Sequence, residues 1–223
     1  ANIQVVGKDI LRFHAIIWPA ILMALGLPLP KQILVHGHIG FDGKKMSKSL
    51  GNIVTLNDVL NKGFDAMAFK LAILSKHYQT EGNFTWDTME AAQARLDHWR
   101  GYAVLRHQTH DTLDDDDNKD NNDAVSLLAA KQALIEKLND NLDTPGAMAL
   151  IDEAFSRLDH APLEKIHRGG LLQLIEIIDE VLGLDLAAST PDITDDLKRL
   201  IIQRRGARAE KDWQESDRIR DEL

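Results

Sequence analysis

Part of a Rossmann-type α/β unit followed by an all-α bundle is the fold class this sequence predicts. Two short β-branched stretches, Ile3 to Val6 and Gln32 to Gly37, flank a segment with apolar residues at helical spacing, which makes a strand-helix-strand unit with a parallel strand pair. From Thr85 onward the pattern stays helical with almost no strand signal. Aromatic residues are sparse at 5%, which favours helices over a β-sandwich.

In order, Ile3 to Val6 reads as a short buried strand closed by Gly7. Asp9 can then cap a helix whose residues Ile10, Phe13, Ile17, Ile21 and Leu25 share a face, with Pro19 kinking or splitting it. Gly26, Pro28 and Pro30 end that helix, Gln32 to Gly37 forms the second strand, and Phe41-Asp42-Gly43 is a turn. Short helices follow over Thr55 to Leu60 and Asp65 to His77. Longer ones span Thr85 to His107, Asp123 to Leu138, Pro145 to Leu158, Leu171 to Leu182, Ile193 to Arg205 and Ala207 to Leu223. The acidic stretch 111–122 is low in complexity and reads as a disordered connection, and Ala187 to Pro191 reads as a second linker. The expected organisation is residues 1–80 as part of a Rossmann-type domain, 81–186 as a helical bundle, and 192–223 as a C-terminal helical pair.

Composition narrows the function classes. The chain has no cysteine, so it carries no disulfide or thiolate metal site of its own, and a reducing cytoplasm is the expected setting. No apolar run is long enough to cross a bilayer, and no signal peptide opens the chain, so no membrane partner is expected. A net charge of -9 argues against a generic polyanion binder. The chain starts inside a strand, without an initiator methionine, and stops inside a helix, so it reads as a fragment trimmed at both ends.

The chemistry is concentrated in Gly43 to Asn52, where Lys45, Met46, Ser47, Lys48 and Ser49 form a glycine-flanked loop. Two ammonium groups and two hydroxyl donors on such a loop suit a triphosphate, and a ligand at a strand end of an open α/β sheet is where such loops act. Lys45-Met46-Ser47-Lys48-Ser49 with its Leu-Gly-Asn continuation resembles the signature loop of class I aminoacyl-tRNA synthetases. The resemblance implies a ligase using ATP with Mg2+, with Lys45 and Lys48 as catalytic charge carriers on the departing pyrophosphate. Met46, Ser47 and Ser49 complete the ATP loop. His38-Ile39-Gly40 imitates part of the other class I signature, His-Ile-Gly-His, but Phe41 follows it and the family's motif lies far upstream. His36 and His38 are therefore strand-end residues expected near ATP.

The amino acid is written ambiguously. From Thr55 to the end the chain resembles cysteinyl-tRNA synthetases, through the histidine-tyrosine pair at 77–78, the Asn-Phe-Thr-Trp turn at 83–86, "DNLDTPGAMALIDEAF" and "RRGARAEKDWQESDRIRDEL". Residues 1–40, with "VVGKDILRFHAIIWPAILMALGLPLPKQILVHGHI", look more like methionyl-tRNA synthetases, whose amino acid pocket uses residues matching His14 and Trp18. Gly7, Asp9, His14 and Trp18 are thus the expected pocket. A tryptophan wall suits a thioether. In cysteinyl enzymes a histidine and a glutamate bind Zn2+, which recognises the thiolate. Aligned on Asp9, His14 keeps the histidine, but Ile16 and Trp18 stand where the glutamates would be. A ligase relative that joins cysteine to an amino sugar is a third possibility, which the tRNA-type tail disfavours.

The resemblance implies tRNA as a partner, and the basic tail is where it would bind. Lys198, Arg199, Arg204, Arg205, Arg208, Lys211, Arg218 and Arg220 alternate with acids that suit helical ion pairs. Arg204, Arg205 and Arg208 lack close acidic neighbours and are the expected phosphate contacts. Trp213 is expected to pack between the last two helices.

Overall fold

The computed structural model describes residues 2–46, 51–108 and 127–223. The α/β part contains β1 (Ile3–Gly7), a helical segment leading into α1 (Trp18–Ala24), β2 (Gln32–His36), β3 (Ile39–Phe41), β4 (Lys44–Lys45), α2 (Leu56–Asn61), α3 (Ala66–Leu74) and β5 (Gly82–Phe84). Helices α4 (Trp86–Val104), α5 (Leu128–Asn139), α6 (Thr144–Ser156), α7 (Arg168–Leu182), α8 (Asp195–Ala209) and α9 (Trp213–Glu222) follow. By its internal contacts the chain divides into two compact units, residues 1–98 with 132–152, and residues 99–131 with 153–223. The 111–122 stretch lies outside the described residues.

In the first unit β1 and β2 pair in parallel, from Ile3 opposite Gln32 to Gly7 opposite His36, as the strand-helix-strand pattern requires. The strand is not buried along its length, however. Ile3 and Val5 are exposed and only Val6 and Gly7 are covered, because among the described residues β2 is its sole hydrogen-bonded neighbour. The same holds for the expected helix face: Ile10, Phe13, Ile17, Ile21 and Leu25 are exposed, and Leu22 is the buried member of α1. Pro19 does not break the helix outright. Residues Phe13–Ile17 widen into a π-turn, with the Trp18 N–H reaching the Phe13 carbonyl, and α1 then starts with Pro19 in its first turn, where a missing N–H costs nothing.

A second, three-stranded sheet has the order β4-β3-β5. The expected turn at 41–43 is the tip of the β3-β4 hairpin, and β5, hidden in what reads as the Asn-Phe-Thr-Trp turn, pairs in parallel with β3. This small sheet is tied into an aromatic cluster. Phe84 stands 5.5 Å from Trp86, 5.7 Å from Phe69 and 6.1 Å from Phe41, and Phe64 stacks on Trp86 at 6.1 Å. Behind it lie the buried Val59, Ala68, Leu71, Met89 and Leu96.

Also in this unit, Asn141 and Leu142 adopt left-handed backbone angles ahead of α6. The Asn141 carbonyl and side chain hold His77 at 2.9 Å and the Tyr78 hydroxyl at 2.7 Å. Asp143 accepts the Gly146 N–H at 2.9 Å and so caps α6, while Lys137 lies 3.3 Å from its carboxylate.

In the second unit Phe155 packs between Trp99 and Tyr102, whose hydroxyl bonds Asp159, and α7 contributes Leu171, Leu174, Ile175 and Ile178 to the core. Its C-terminus ends on Gly183 in the left-handed conformation. The segment 187–191 is no free linker. The Arg106 guanidinium, 6% exposed, donates to Thr190 Oγ1, the Thr190 carbonyl, the Ala187 carbonyl and the Ala103 carbonyl, all between 2.7 and 2.9 Å. The final helical break falls later than the sequence suggests: Gly206 stays helical, and left-handed Lys211 with Asp212 as the next N-cap makes the turn.

Two outcomes follow for stability. A Cβ at Gly37 would lie 2.2 Å from the Thr80 carbonyl oxygen, whereas one at Gly82 would touch Ile39 at 3.4 Å. Gly37→Ala should therefore destabilise by about 1–3 kcal/mol and Gly82→Ala by much less, read as denaturant midpoints. Equal midpoints would contradict the close approach. The Asp143 carboxyl is held below its ordinary pKa, first by the Gly146 N–H and then by Lys137. A depressed carboxylate contributes stability above its unfolded pKa of about 3.9 and loses it as pH falls through the folded value. Asp143→Asn should flatten the melting curve's dependence on pH in that acid range while retaining the cap at neutral pH, and an unchanged pH profile would remove Asp143 from the account.

Candidate functional site

The site is built where β1 and β2 end. Gly7 leaves the strand in an extended conformation and caps the turn Lys8–Ile10. A side chain there would meet Asp9 Oδ1 at 2.8 Å and the His36 ring at 3.6 Å, so three residues singled out from the sequence, Gly7, Asp9 and His36, converge on one spot. His36 Nδ1 lies 2.9 Å from the Gly37 carbonyl oxygen. Next to this spot Lys8 pairs with Glu81, whose carboxyl is pushed below its ordinary value first by the Lys8 hydrogen bond and more weakly by His38. Both partners are at least half exposed, so the pair orients rather than stabilises.

His38 hands the chain into the small sheet, its carbonyl accepting the Gly82 N–H at 2.9 Å. Asp42 and Gly43 both have positive φ, 48° and 74°, the geometry of a tight two-residue hairpin. Asn83 fixes that hairpin from the side: its Oδ1 accepts the Gly43 N–H at 2.7 Å, and the Phe84 carbonyl accepts the Asp42 N–H at 3.2 Å. Lys44 and Lys45 run back along β3, opposite Phe41 and Gly40. The lysine loop therefore starts from a clamped hairpin, with Met46 half-buried. On the far side of the loop Thr55 and Asp58 form a reciprocal capping box on α2, and the Thr55 hydrogen bonds hold the Asp58 carboxyl below its ordinary pKa. Ser47, Lys48 and Ser49 lie outside the described residues.

His14 and Trp18 sit on the π-turn and at its exit. The His14 ring turns Nδ1 toward the Ile10 carbonyl at 3.1 Å, and Trp18 is 40% exposed. As a zinc site this segment does not fit: His14 offers one further nitrogen, Ile16 and Trp18 offer no oxygen, and no group of three metal-ligating side chains exists among the described residues. Arg204, Arg205 and Arg208 do come together, along a pocket on α8. Trp213 is 59% exposed rather than packed between α8 and α9, where Ser216 and Ile219 are the buried residues. Sequence reasoning missed Asn83, Lys8 and Glu81, and only the Gly82-Asn83-Phe84 run beside a strand-forming pair could have signalled the first.

Residues 1–97 match the family described as tRNA synthetases class I (M). Over nearly its whole length the chain is similar to cysteine–tRNA ligases. It is 31% identical over 210 residues to that of Chlamydia trachomatis serovar D, covering 88% of this chain and 43% of the relative. The L-cysteine:1D-myo-inositol 2-amino-2-deoxy-alpha-D-glucopyranoside ligase of Kytococcus sedentarius is 40% identical over 151 residues, 66% of this chain and 33% of that protein. The chain thus spans less than half the length of these relatives. Among solved structures, Mycobacterium tuberculosis methionyl-tRNA synthetase in complex with methionyl-adenylate matches with a TM-score of 0.56 at 23% identity, covering 83% of this chain and 43% of that one. LeuRS of Agrobacterium radiobacter K84, in a ternary complex, matches with a TM-score of 0.65 at 19% identity over 87% of this chain and 28% of that one. These two likenesses are of fold. No helix among the described residues is long and apolar enough to cross a membrane.

The clamp on the hairpin is testable. Asn83→Ala should speed tryptic cleavage after Lys44 and Lys45 with little change in melting temperature, while Asn83→Asp, which keeps the acceptor oxygen, should stay protected. Equal cleavage of all three proteins would show that Asn83 does not hold the hairpin.

Proposed function

We propose that this chain supplies the lysine loop and the tRNA-facing helices of a class I aminoacyl-tRNA ligase that activates cysteine. The observation that carries the reading is the joint presence of the Lys45 to Ser49 loop and cysteine–tRNA ligase similarity over 88% of the chain. In the proposed reaction the amino acid carboxylate attacks the α-phosphate of ATP, pyrophosphate departs, and the aminoacyl group then passes to the terminal adenosine of tRNA. Lys45 and Lys48 would stabilise the negative charge gathering on the pyrophosphate, an electrostatic role that needs no proton transfer. Mg2+ would accompany the ATP phosphates. Ser47, Ser49, His36 and His38 would complete the ATP surroundings, and Gly7 and Asp9 would bound the amino acid pocket.

Methionine is the second reading, favoured by one observation: His14 and Trp18 replace a zinc-ready segment with an aromatic wall suited to a thioether. Amino-sugar ligation is a third, supported by the Kytococcus relative, and shares the cysteine-activating half-reaction. A fourth, from a different class, is a tRNA-binding module without activity of its own.

In the intact protein, Lys48→Ala should lower amino acid-dependent pyrophosphate exchange roughly a hundredfold while leaving amino acid binding in place. Exchange that survives the substitution would remove the assigned role. Cysteine and methionine are compared in the same assay, with bound zinc measured. Zinc-dependent exchange with cysteine supports the proposal, and zinc-free exchange with methionine overturns it in favour of the second reading.

A further inference from the structure

Residues 77–83 run between the α5–α6 turn and the strand ends, and this segment and the turn both lie in the first unit. On one side the segment is fastened to the candidate site. The Tyr78 carbonyl accepts the Gly37 N–H at 2.8 Å, between His36 and His38, and the Thr80 carbonyl oxygen lies 2.2 Å from where a Gly37 Cβ would be. Glu81 pairs with Lys8, the Gly82 N–H reaches the His38 carbonyl at 2.9 Å, and Asn83 holds the Gly43 N–H at the hairpin tip. On the other side a single residue, Asn141, grips three successive side chains. Its carbonyl faces His77 Nε2 at 2.9 Å, its Oδ1 accepts from the Tyr78 hydroxyl at 2.7 Å, and its Nδ2 donates to Gln79 Oε1 at 3.0 Å. Because Nε2 faces a carbonyl it carries the ring proton, which leaves His77 Nδ1 to accept the Gln79 N–H at 3.3 Å. The Thr80 N–H and hydroxyl both return to the His77 carbonyl, at 2.9 and 2.8 Å, so His77 and Thr80 move together. Asn141 has φ 54°, a backbone region where Asn and Asp are the side chains best tolerated.

We propose that Asn141 is a positioning residue for amino acid activation: through residues 77–83 it sets the strand end at Gly37 and the hairpin that carries Lys45. The inference rests on the synthetase reading above and adds that a turn between two helices governs the geometry of the ATP side without touching it. Asn141 is exposed and each of its hydrogen bonds is modest by itself. What the three contacts fix together is where the segment lies, and the segment in turn leaves no room for Gly37 to shift. A misplacement of about 1 Å at a reacting centre can cost up to about a hundredfold in rate, even when its origin is remote. A group that acts only in the transition state loses kcat when displaced, with the substrate KM unchanged.

The test uses the intact protein, pyrophosphate exchange with the amino acid that supports it, and tryptic cleavage after Lys44 and Lys45 read by mass spectrometry. Asn141→Gly keeps the left-handed backbone and the carbonyl contact to His77 while removing both side-chain bonds. It should lower kcat about tenfold with the amino acid KM unchanged, and speed cleavage of the hairpin. Asn141→Asp keeps an acceptor for the Tyr78 hydroxyl, and Gln79 can turn its amide to donate, so this variant should recover most of the rate and the protection. Asp143→Ala is the comparison for stability alone: it removes the Gly146 cap from the same turn and leaves the three Asn141 contacts in place. It should lower the melting temperature and leave kcat and cleavage as they were. Parental kcat and cleavage in Asn141→Gly would overturn the proposal. So would a fall in kcat that Asp143→Ala reproduces, which would mark a general loss of stability. Absence of exchange with any amino acid in the unsubstituted protein would sink the synthetase reading, whereas normal exchange and unchanged cleavage in Asn141→Gly would sink the positioning role alone.

Discussion

The candidate site depends on a strand of three residues. β5 is too short to be stable by itself, yet it lies in parallel register along β3, and two of its residues and the one before it do three separate jobs. Phe84 locks it into the aromatic cluster with Phe41, Phe69 and Trp86. Asn83, pointing to the opposite face by the two-residue alternation of a strand, reaches the hairpin tip at Gly43. Glu81, just before it, meets Lys8 after β1. Without that pairing, the β3-β4 hairpin would be an isolated two-stranded ribbon, which is marginal in water. The lysine loop is thus anchored through packing some forty residues downstream in the chain, and through a crossing at Gly37 so close that only a hydrogen fits beside the Thr80 carbonyl.

This explains which parts were legible in the sequence. Local chemistry shows plainly in the parallel pair from two β-branched runs and in the turn at Phe41-Asp42-Gly43. What did not show depends on distant partners. β5 has no alternation long enough to read, and it becomes a strand because β3 offers it an edge. Ala187 to Pro191 has the composition of a linker, but Arg106 at the end of a helix some eighty residues earlier needs its carbonyls. The sequence reading divides the last two helices between Arg205 and Ala207. The chain stops instead at Lys211, where Asp212 can cap the next helix by accepting the Glu215 N–H.

The apolar stripe of residues 10–25 and the exposed side of β1 give a different kind of lesson. Their periodicity correctly marks a helix and a strand, yet in the described residues most of that surface faces outward. Periodicity reports which face a segment would bury, not whether a neighbour is present to cover it. Arg106 shows the converse. Burial pushes its pKa below the ordinary guanidinium value, but four acceptors satisfy it, so a group that composition would place on the surface sits in the interior at little cost.

The conflict between cysteine and methionine becomes tractable in the same terms. In the helical part Asp143 caps α6 and Phe155 packs between Trp99 and Tyr102, and such packing and capping are indifferent to the amino acid being activated. Selectivity would reside in a few side chains on the segment between β1 and α1. There Pro19 is accommodated by a π-turn that carries His14 and leads into Trp18, so these two side chains occupy a stretch whose helical geometry is irregular. A π-turn re-aims side chains relative to an ordinary helix and recurs at functional sites. The cysteine–tRNA ligase match spans 88% of the chain and so includes scaffold that is common to both readings, while under the proposed function the choice of amino acid would turn on the groups that the irregular turn presents.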